Sequence, residues 1–296
     1  MERLSVLDEP QLEFAYSQRV SRPHDGLFMF GPYDAFLPSH PASLSYAVIG
    51  TPDALEKLEH FFKALRSPVD DRPDKPMLWP AFPGFEAAFG AHLPDRPTAQ
   101  VPLDMDTLSQ ACVQADPYKR VTDTVNQYLN AIGIVANRDD HVGVIVCIVP
   151  DMIFLNCRPE SRVGSPIGTR PTRKEMAERR KGQLDLFEVY DPEQYQFSRD
   201  FRRQIKARAM EFGIPIQIIR ESTLRSESAV FGQRTLTPLS DRAWKLGVAL
   251  YYKAGGKPWR LAGARPGVCY VGLAYKRMPD SASPRTACCA AQVFLD

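Results

Sequence analysis

Four basic residues at close spacing carry the clearest chemistry in this chain. In RDFRRQIKARAMEFGIPIQIIR, residues 199–220, helical spacing puts Arg199, Arg202, Arg203 and Lys206 along one side. Phe201, Ile205, Ala209 and Phe212 recur on the adjoining side. Gly213 ends that helix, Pro215 follows, and Ile216–Ile219 read as a buried strand with one polar residue, Gln217. A short loop therefore joins a basic helix face to a strand carrying an amide. Cations gathered beside an amide donor can hold an anion, whereas a solvated basic face on an ordinary amphipathic helix explains the same spacing.

The elements around this stretch alternate between strand and helix. Tyr46–Gly50 is a short apolar strand, followed by Thr51 as N-cap, Pro52 at the first helical position and an amphipathic helix to about Ala64. Such a strand–turn–helix unit belongs to α/β architecture. Residues 67–104 are rich in proline and predict loop, with a short strand near Phe85–Phe89. A helix is expected from Pro117 to Ile132. His141–Pro150 is the strongest strand, apolar without interruption as the centre of a parallel sheet requires. Residues 151–190 read as a basic loop with a partial helix at 171–181. Asp241–Lys253 forms a further helix, closed by Ala254-Gly255-Gly256, and Gly267–Tyr275 and Thr286–Leu295 read as two successive strands. Residues 1–40 show little regular pattern and predict an extended arm.

Composition limits the function classes. At 296 residues the chain has room for one large domain or two smaller ones, and its 44% apolar and 24% charged content are those of a soluble globular protein. No apolar run approaches the ~18 residues of a membrane helix, and the N-terminus lacks a secretory segment, so a cytoplasmic location is expected. The six cysteines form no CxxC pair; buried free thiols are expected and a zinc site is not. Net charge is only +2, yet residues 170–181 hold six cations against two acids, and residues 199–225 seven against three. Two local basic patches in a nearly neutral chain point to a polyanion contact. No GxGxxG, Walker or Ser/His/Asp arrangement is present, and the five histidines are scattered.

Several pieces together resemble the Argonaute family, specifically the short prokaryotic members built from a MID and a PIWI domain. They are GLFMFGPYD, LWPAFPGF, VIVCIVPD, residues 199–220, YYKAGGKPW, and VCYVGLAYKR leading to AAQVF, in family order over essentially the whole chain. YYKAGGKPWRL followed by a PIWI-like first strand is the distinctive combination. The resemblance implies a Rossmann-like MID domain at 41–262 that holds the 5′-phosphate of a guide strand. A 1–40 arm would precede it, and the first strands of an RNase H-like PIWI domain would follow at 263–296. Nothing resembling N or PAZ domains precedes the arm, which is what assigns the short subtype.

In the family, a Tyr, His or Arg is followed four residues later by Lys, then by a Gln on the next strand and a Lys near the end of the following helix. Arg202, Lys206, Gln217 and Lys253 fit that order. A spacing of four stacks Arg202 and Lys206 on one helix face, an Arg fork matches two phosphate oxygens, and the lysines add point charge. A cation satisfying a helix C-terminus is the other reading of Lys253. Thr223 and Arg225 fall where the family meets the first base, and Arg199 and Arg203 either touch the guide backbone or face water. The resemblance also implies Mg²⁺ beside the 5′-phosphate.

Two departures alter the expected activity. Ala274 stands where active members carry the first metal-binding Asp of PIWI, so no slicing is expected. Asp296, at the end of the second strand, is not where the family places its next acid. Only about 30 residues of PIWI are present, which reads as a fragment of a longer protein or a domain completed elsewhere. The expected function is therefore a non-slicing guide-binding subunit. It would hold guide RNA for pairing with target single-stranded DNA, and would activate an APAZ-domain partner bearing a sirtuin-like, TIR-type or nuclease effector. An active guided endonuclease and a non-catalytic scaffold for a protein partner are the alternatives.

Overall fold

A run of six apolar residues with no polar interruption can be satisfied only where both faces of a strand are covered. Val144–Val149 does this at the centre of the molecule: Val144, Val146 and Ile148 enter one apolar core, while Ile145, Cys147 and Val149 enter another. The computed structural model describes residues 9–70, 75–161, 163, 197–225 and 235–263, and the backbone of 270–277 and 286–294.

Within these residues the strands are β1 (Leu12–Glu13), β2 (Arg19–Val20), β3 (Tyr46–Gly50), β4 (Ala99–Pro102), β5 (Val144–Val149), β6 (Ile216–Arg220), β7 (Arg260–Leu261), β8 (Tyr270–Arg277) and β9 (Thr286–Phe294). The helices are α1 (Pro23–Phe30), α2 (Pro52–Leu65), α3 (Phe85–Phe89), α4 (Met105–Cys112), α5 (Pro117–Ala136), α6 (Asp151–Asn156), α7 (Phe201–Arg208) and α8 (Leu239–Lys253). The main sheet is parallel, in the order β4-β3-β5-β6. Apolar residues of α2, α3 and α8 cover one face; those of α4, α5 and α7 cover the other. This is a Rossmann-like α/β fold, as the strand–helix alternation predicts.

Local chemistry starts the helices where expected. The Thr51 hydroxyl accepts from the Ala54 amide with Pro52 at the first helical position, and Asp116 caps α5 through the amides of Tyr118 and Lys119. Gly213, at φ 68°, ends the one-turn 3₁₀ extension of α7.

Three expectations are corrected. Phe85–Phe89 is a helix, not a strand, because Gly84 (φ 98°) and Gly90 (φ 66°) turn the chain at either end and Phe85, Ala88 and Phe89 all face the core. Residues 9–40 are not a plain extended arm. They contain α1 and pair β1 with both β2 and β7, and Phe14 and Leu27 are buried in the same core as α8. Strand β4 arises inside what the proline content reads as loop. The partial helix at 171–181, its basic patch and Asp296 lie outside the described residues.

The second glycine of YYKAGGKPW, Gly256, has a packing reason. A Cβ on Gly256 would sit 2.4 Å from the ring of Tyr251, whose backbone carbonyl accepts from the Gly256 amide. Gly256→Ala is expected to cost about 1–3 kcal/mol, the usual penalty for overpacking, read as a lower denaturant midpoint at unchanged slope.

Candidate functional site

β6 is the outermost strand of the sheet among the described residues, and two of its carbonyls are taken up by side chains. The Nζ of Lys253 donates to the Ile216 carbonyl, and the Gln217 amide nitrogen donates to the Ile218 carbonyl at 3.1 Å. Lys253 comes from the last turn of α8, on one face of the sheet. Arg202 and Lys206 come from α7, on the other. The three cations meet around the strand edge closely enough to act on one another. Burial depresses the Lys253 ammonium, and the charges of Lys206 and then Arg202 lower it further. Lys206 is lowered by burial first and by Arg202 second. Among the described residues no carboxylate pairs with any of the three.

Like charges held together without a counter-ion raise the energy of the free protein, and an anion relieves it. Lys57 shows the opposite arrangement: it lies 2.5 Å from Asp53 and 2.6 Å from Glu221. The chain thus neutralises a neighbouring cation and leaves the edge of β6 positive.

Arg202 also lines a cleft of about 760 Å³ outside the carboxyl ends of β5 and β6, where open α/β sheets commonly take ligands. Ile218, Arg220 and Thr223 form one side, and the segment from Cys157 to Ser161 forms the opposite wall. The guanidinium carbons of Arg158 and Arg220 lie 3.6 Å and 4.2 Å from the centroid of the Phe154 ring. Arg220 is also paired with Asp151, which accepts from the Ser222 hydroxyl at 2.8 Å. Flat cationic and aromatic surfaces beside a cation cradle suit a nucleotide, whose base stacks while its phosphate pairs.

The structure brings Arg202, Lys206, Gln217 and Lys253 to one edge, with Thr223 in the adjoining cleft. Arg242 fixes the Thr223 turn by donating to the Thr223 carbonyl at 2.6 Å and the Arg225 carbonyl at 2.5 Å. Arg225 folds back to donate to the Ser222 carbonyl at 3.2 Å. Arg199 sits 5.1 Å from the Tyr118 ring, and Arg203 is exposed. Phe154, Arg158 and Arg220 did not stand out in the sequence. Arg220 was within reach as the residue at the carboxyl end of β6; the loop placement of Arg158 gave no periodic signal.

Cys112, Cys147 and Cys157 are free and buried, and burial pushes the thiols of Cys147 and Cys157 up to about 12, which keeps them protonated and unreactive. No helix among the described residues is long and apolar enough to cross a membrane.

An Argonaute stands among the solved structures similar to this chain. It is described as the crystal structure of Aa-Ago with externally bound siRNA, and matches at a TM-score of 0.46 and 14% identity, over 91% of this chain and 27% of that one. The chain thus spans about a quarter of that protein's length. No protein-family model and no curated protein matches.

The depressed lysines set a pH dependence. In the free protein Lys206 and Lys253 lose their protons below the 10.5 of an ordinary lysine. Affinity for an anion held at this edge is therefore expected to fall as pH rises through that depressed range, before exposed lysines titrate. Stability of the free protein moves the other way: the unfolded chain holds more protons there, so unfolding free energy rises with pH. Paired binding and denaturation titrations over the alkaline range check both signs.

Proposed function

We propose that this chain is the guide-binding part of a short prokaryotic Argonaute and anchors the 5′-phosphate of a guide strand. The observation that carries the reading is the group of three cations, Arg202, Lys206 and Lys253, meeting at the edge of β6 with no carboxylate partner among the described residues and Gln217 beside them. Arg202 supplies a fork for two phosphate oxygens, the lysines supply point charge, and the first nucleotide extends into the cleft past Thr223 and Phe154. Affinity then comes largely from phosphate contacts and falls with salt, while sequence specificity comes from base pairing.

The family also implies Mg²⁺ at the phosphate. The cradle presents three cations and an amide, and no group of three or more His, Cys, Asp or Glu among the described residues could hold a metal. The cradle's own side chains supply no carboxylate, so a Mg²⁺ ion there would take its ligands from the phosphate oxygens and water.

In this reading residues 41–262 form the MID domain, residues 263–296 begin PIWI, and the guide is RNA that pairs with target single-stranded DNA in the cytoplasm. Ala274, opposite Ala290 in the β8–β9 pair, takes the place of the first catalytic Asp, so target is recognised without being cut. Recognition would be passed to an APAZ-domain partner carrying the effector.

Filter binding with otherwise identical 5′-phosphate and 5′-hydroxyl oligonucleotides tests the anchor. Marked preference for the phosphate is expected, and indifference would refute it. Sequencing of co-purified nucleic acid, with its 5′-end chemistry, identifies the guide. Incubation with guide, Mn²⁺ and labelled target tests slicing: a product cut at the guide's middle would restore the nuclease alternative.

A further inference from the structure

One wall of the cleft is tied to a buried cation that pairs with no acid among the described residues. Arg120, on α5, is 1% exposed. Its Nε donates to the Asn156 carbonyl at 2.9 Å, and its Nη2 to the Ser161 carbonyl at 3.1 Å. Its Nη1 donates to the carbonyls of Gln114 at 2.6 Å and Ala115 at 3.2 Å. Burial lowers its pKa, and among the described residues no carboxylate pairs with it.

Asn156 immediately precedes, and Ser161 ends, the Cys157–Ser161 segment that walls the cleft. The guanidinium therefore pins the wall at both ends from behind and anchors it to the turn that precedes α5. A cross-tie completes the frame on the solvent side: the Ser161 hydroxyl donates to the Leu155 carbonyl and accepts from the Arg158 amide at 3.3 Å. Between these ties sits Arg158, whose guanidinium lies against Phe154 inside the cleft.

A buried, unpaired charge is costly, and an apolar side chain of similar volume would pack there without that cost. Only a planar fork with five donors reaches carbonyls in three directions at once; the single ammonium of a lysine does not. We propose that Arg120 is a positioning residue for the nucleotide cleft. It acts through Arg158, by fixing the wall that holds the Arg158 guanidinium against Phe154. The proposal rests on the reading of the cleft and cradle as the site of a guide's first nucleotide.

The test is a double-mutant cycle on the full chain. It follows binding of 5′-phosphorylated and 5′-hydroxyl oligonucleotides, each variant being measured well below its own melting temperature. Arg158→Ala and Arg120→Gln are each expected to weaken binding of the phosphorylated strand about 10-fold. The double variant is expected to be no weaker than the worse single one, because both remove the same arrangement. Arg120→Lys keeps the charge and is expected to lose binding nearly as far as Arg120→Gln. Ser161→Ala, which cuts the cross-tie from the solvent side without touching the core, is expected to lose about 3-fold and to couple to Arg158→Ala in the same way. It decides the matter if Arg120→Gln does not fold.

Losses that multiply, or full binding by Arg120→Gln or Ser161→Ala, would overturn the positioning role while leaving the phosphate site standing. Equal binding of the two 5′ ends by the unsubstituted protein would overturn the phosphate site and this role with it.

Discussion

Arg202→Ala combined with Lys206→Ala is expected to lower affinity for a 5′-phosphorylated strand by about 100-fold or more, and to change 5′-hydroxyl binding by only a few-fold. Each substitution removes a charge-assisted contact worth about 1.5–3 kcal/mol, and about 1.4 kcal/mol is tenfold in affinity. Both side chains are exposed on α7, so the fold should persist. The free protein changes in a second, independent way. With two like charges gone, the Lys253 ammonium keeps only the penalty of burial, so its pKa rises toward 10.5. An unchanged preference for the phosphate, with Lys253 titrating as before, would show that these cations do not form a common site.

The second large effect is on stability. Asp34 is completely buried and ties the N-terminal segment to the end of α8. One of its oxygens accepts from the Tyr251 hydroxyl at 2.5 Å and the other from the Lys257 amide at 2.7 Å. His40 joins the group, with Nδ1 2.9 Å from the Tyr251 oxygen and 3.7 Å from Asp34. The surroundings push the Tyr251 phenol far up, through burial first and the Asp34 carboxylate second, so the phenol stays a donor. Asp34→Ala leaves the Lys257 amide without its acceptor and the Tyr251 hydroxyl with His40 alone, empties a fully buried site, and is expected to cost about 3–4 kcal/mol. For a chain of this size that lowers the melting temperature by roughly 10 °C. Calorimetry showing a loss under about 1 kcal/mol would mean that the carboxylate does not carry this junction. Because Tyr251 lies two residues before Lys253, the same variant should also weaken phosphate binding near its melting range.

Much of the scaffold follows from local pattern. The unbroken apolar run of β5 demands two covered faces, the 3.6-residue period of α5 demands one, and Thr51-Pro52 starts α2 by cap chemistry. These signals are local because the physics behind them acts within a turn or a strand. The order Arg202, Lys206, Gln217, Lys253 was legible as a series of residue types. That α7 and α8, on opposite faces of the sheet, bring those residues around one strand edge was decided by the tertiary fold.

The residues the sequence could not mark share one cause. Arg120 and Asp34 are of types that ordinarily face water, and only the surrounding backbone carbonyls, phenol and amide make their burial tolerable. The partners of Asp34 lie more than two hundred positions away along the chain. Phe85–Phe89 shows the same limit in a short element: five residues carry too little periodicity to separate helix from strand. The glycine turns at each end and the core beneath settled its form. Thus the chain's own pattern determined the central strands, the long helices and which cations they carry. Contacts between distant segments decided which charges are buried, which are paired, and which are left to meet a ligand.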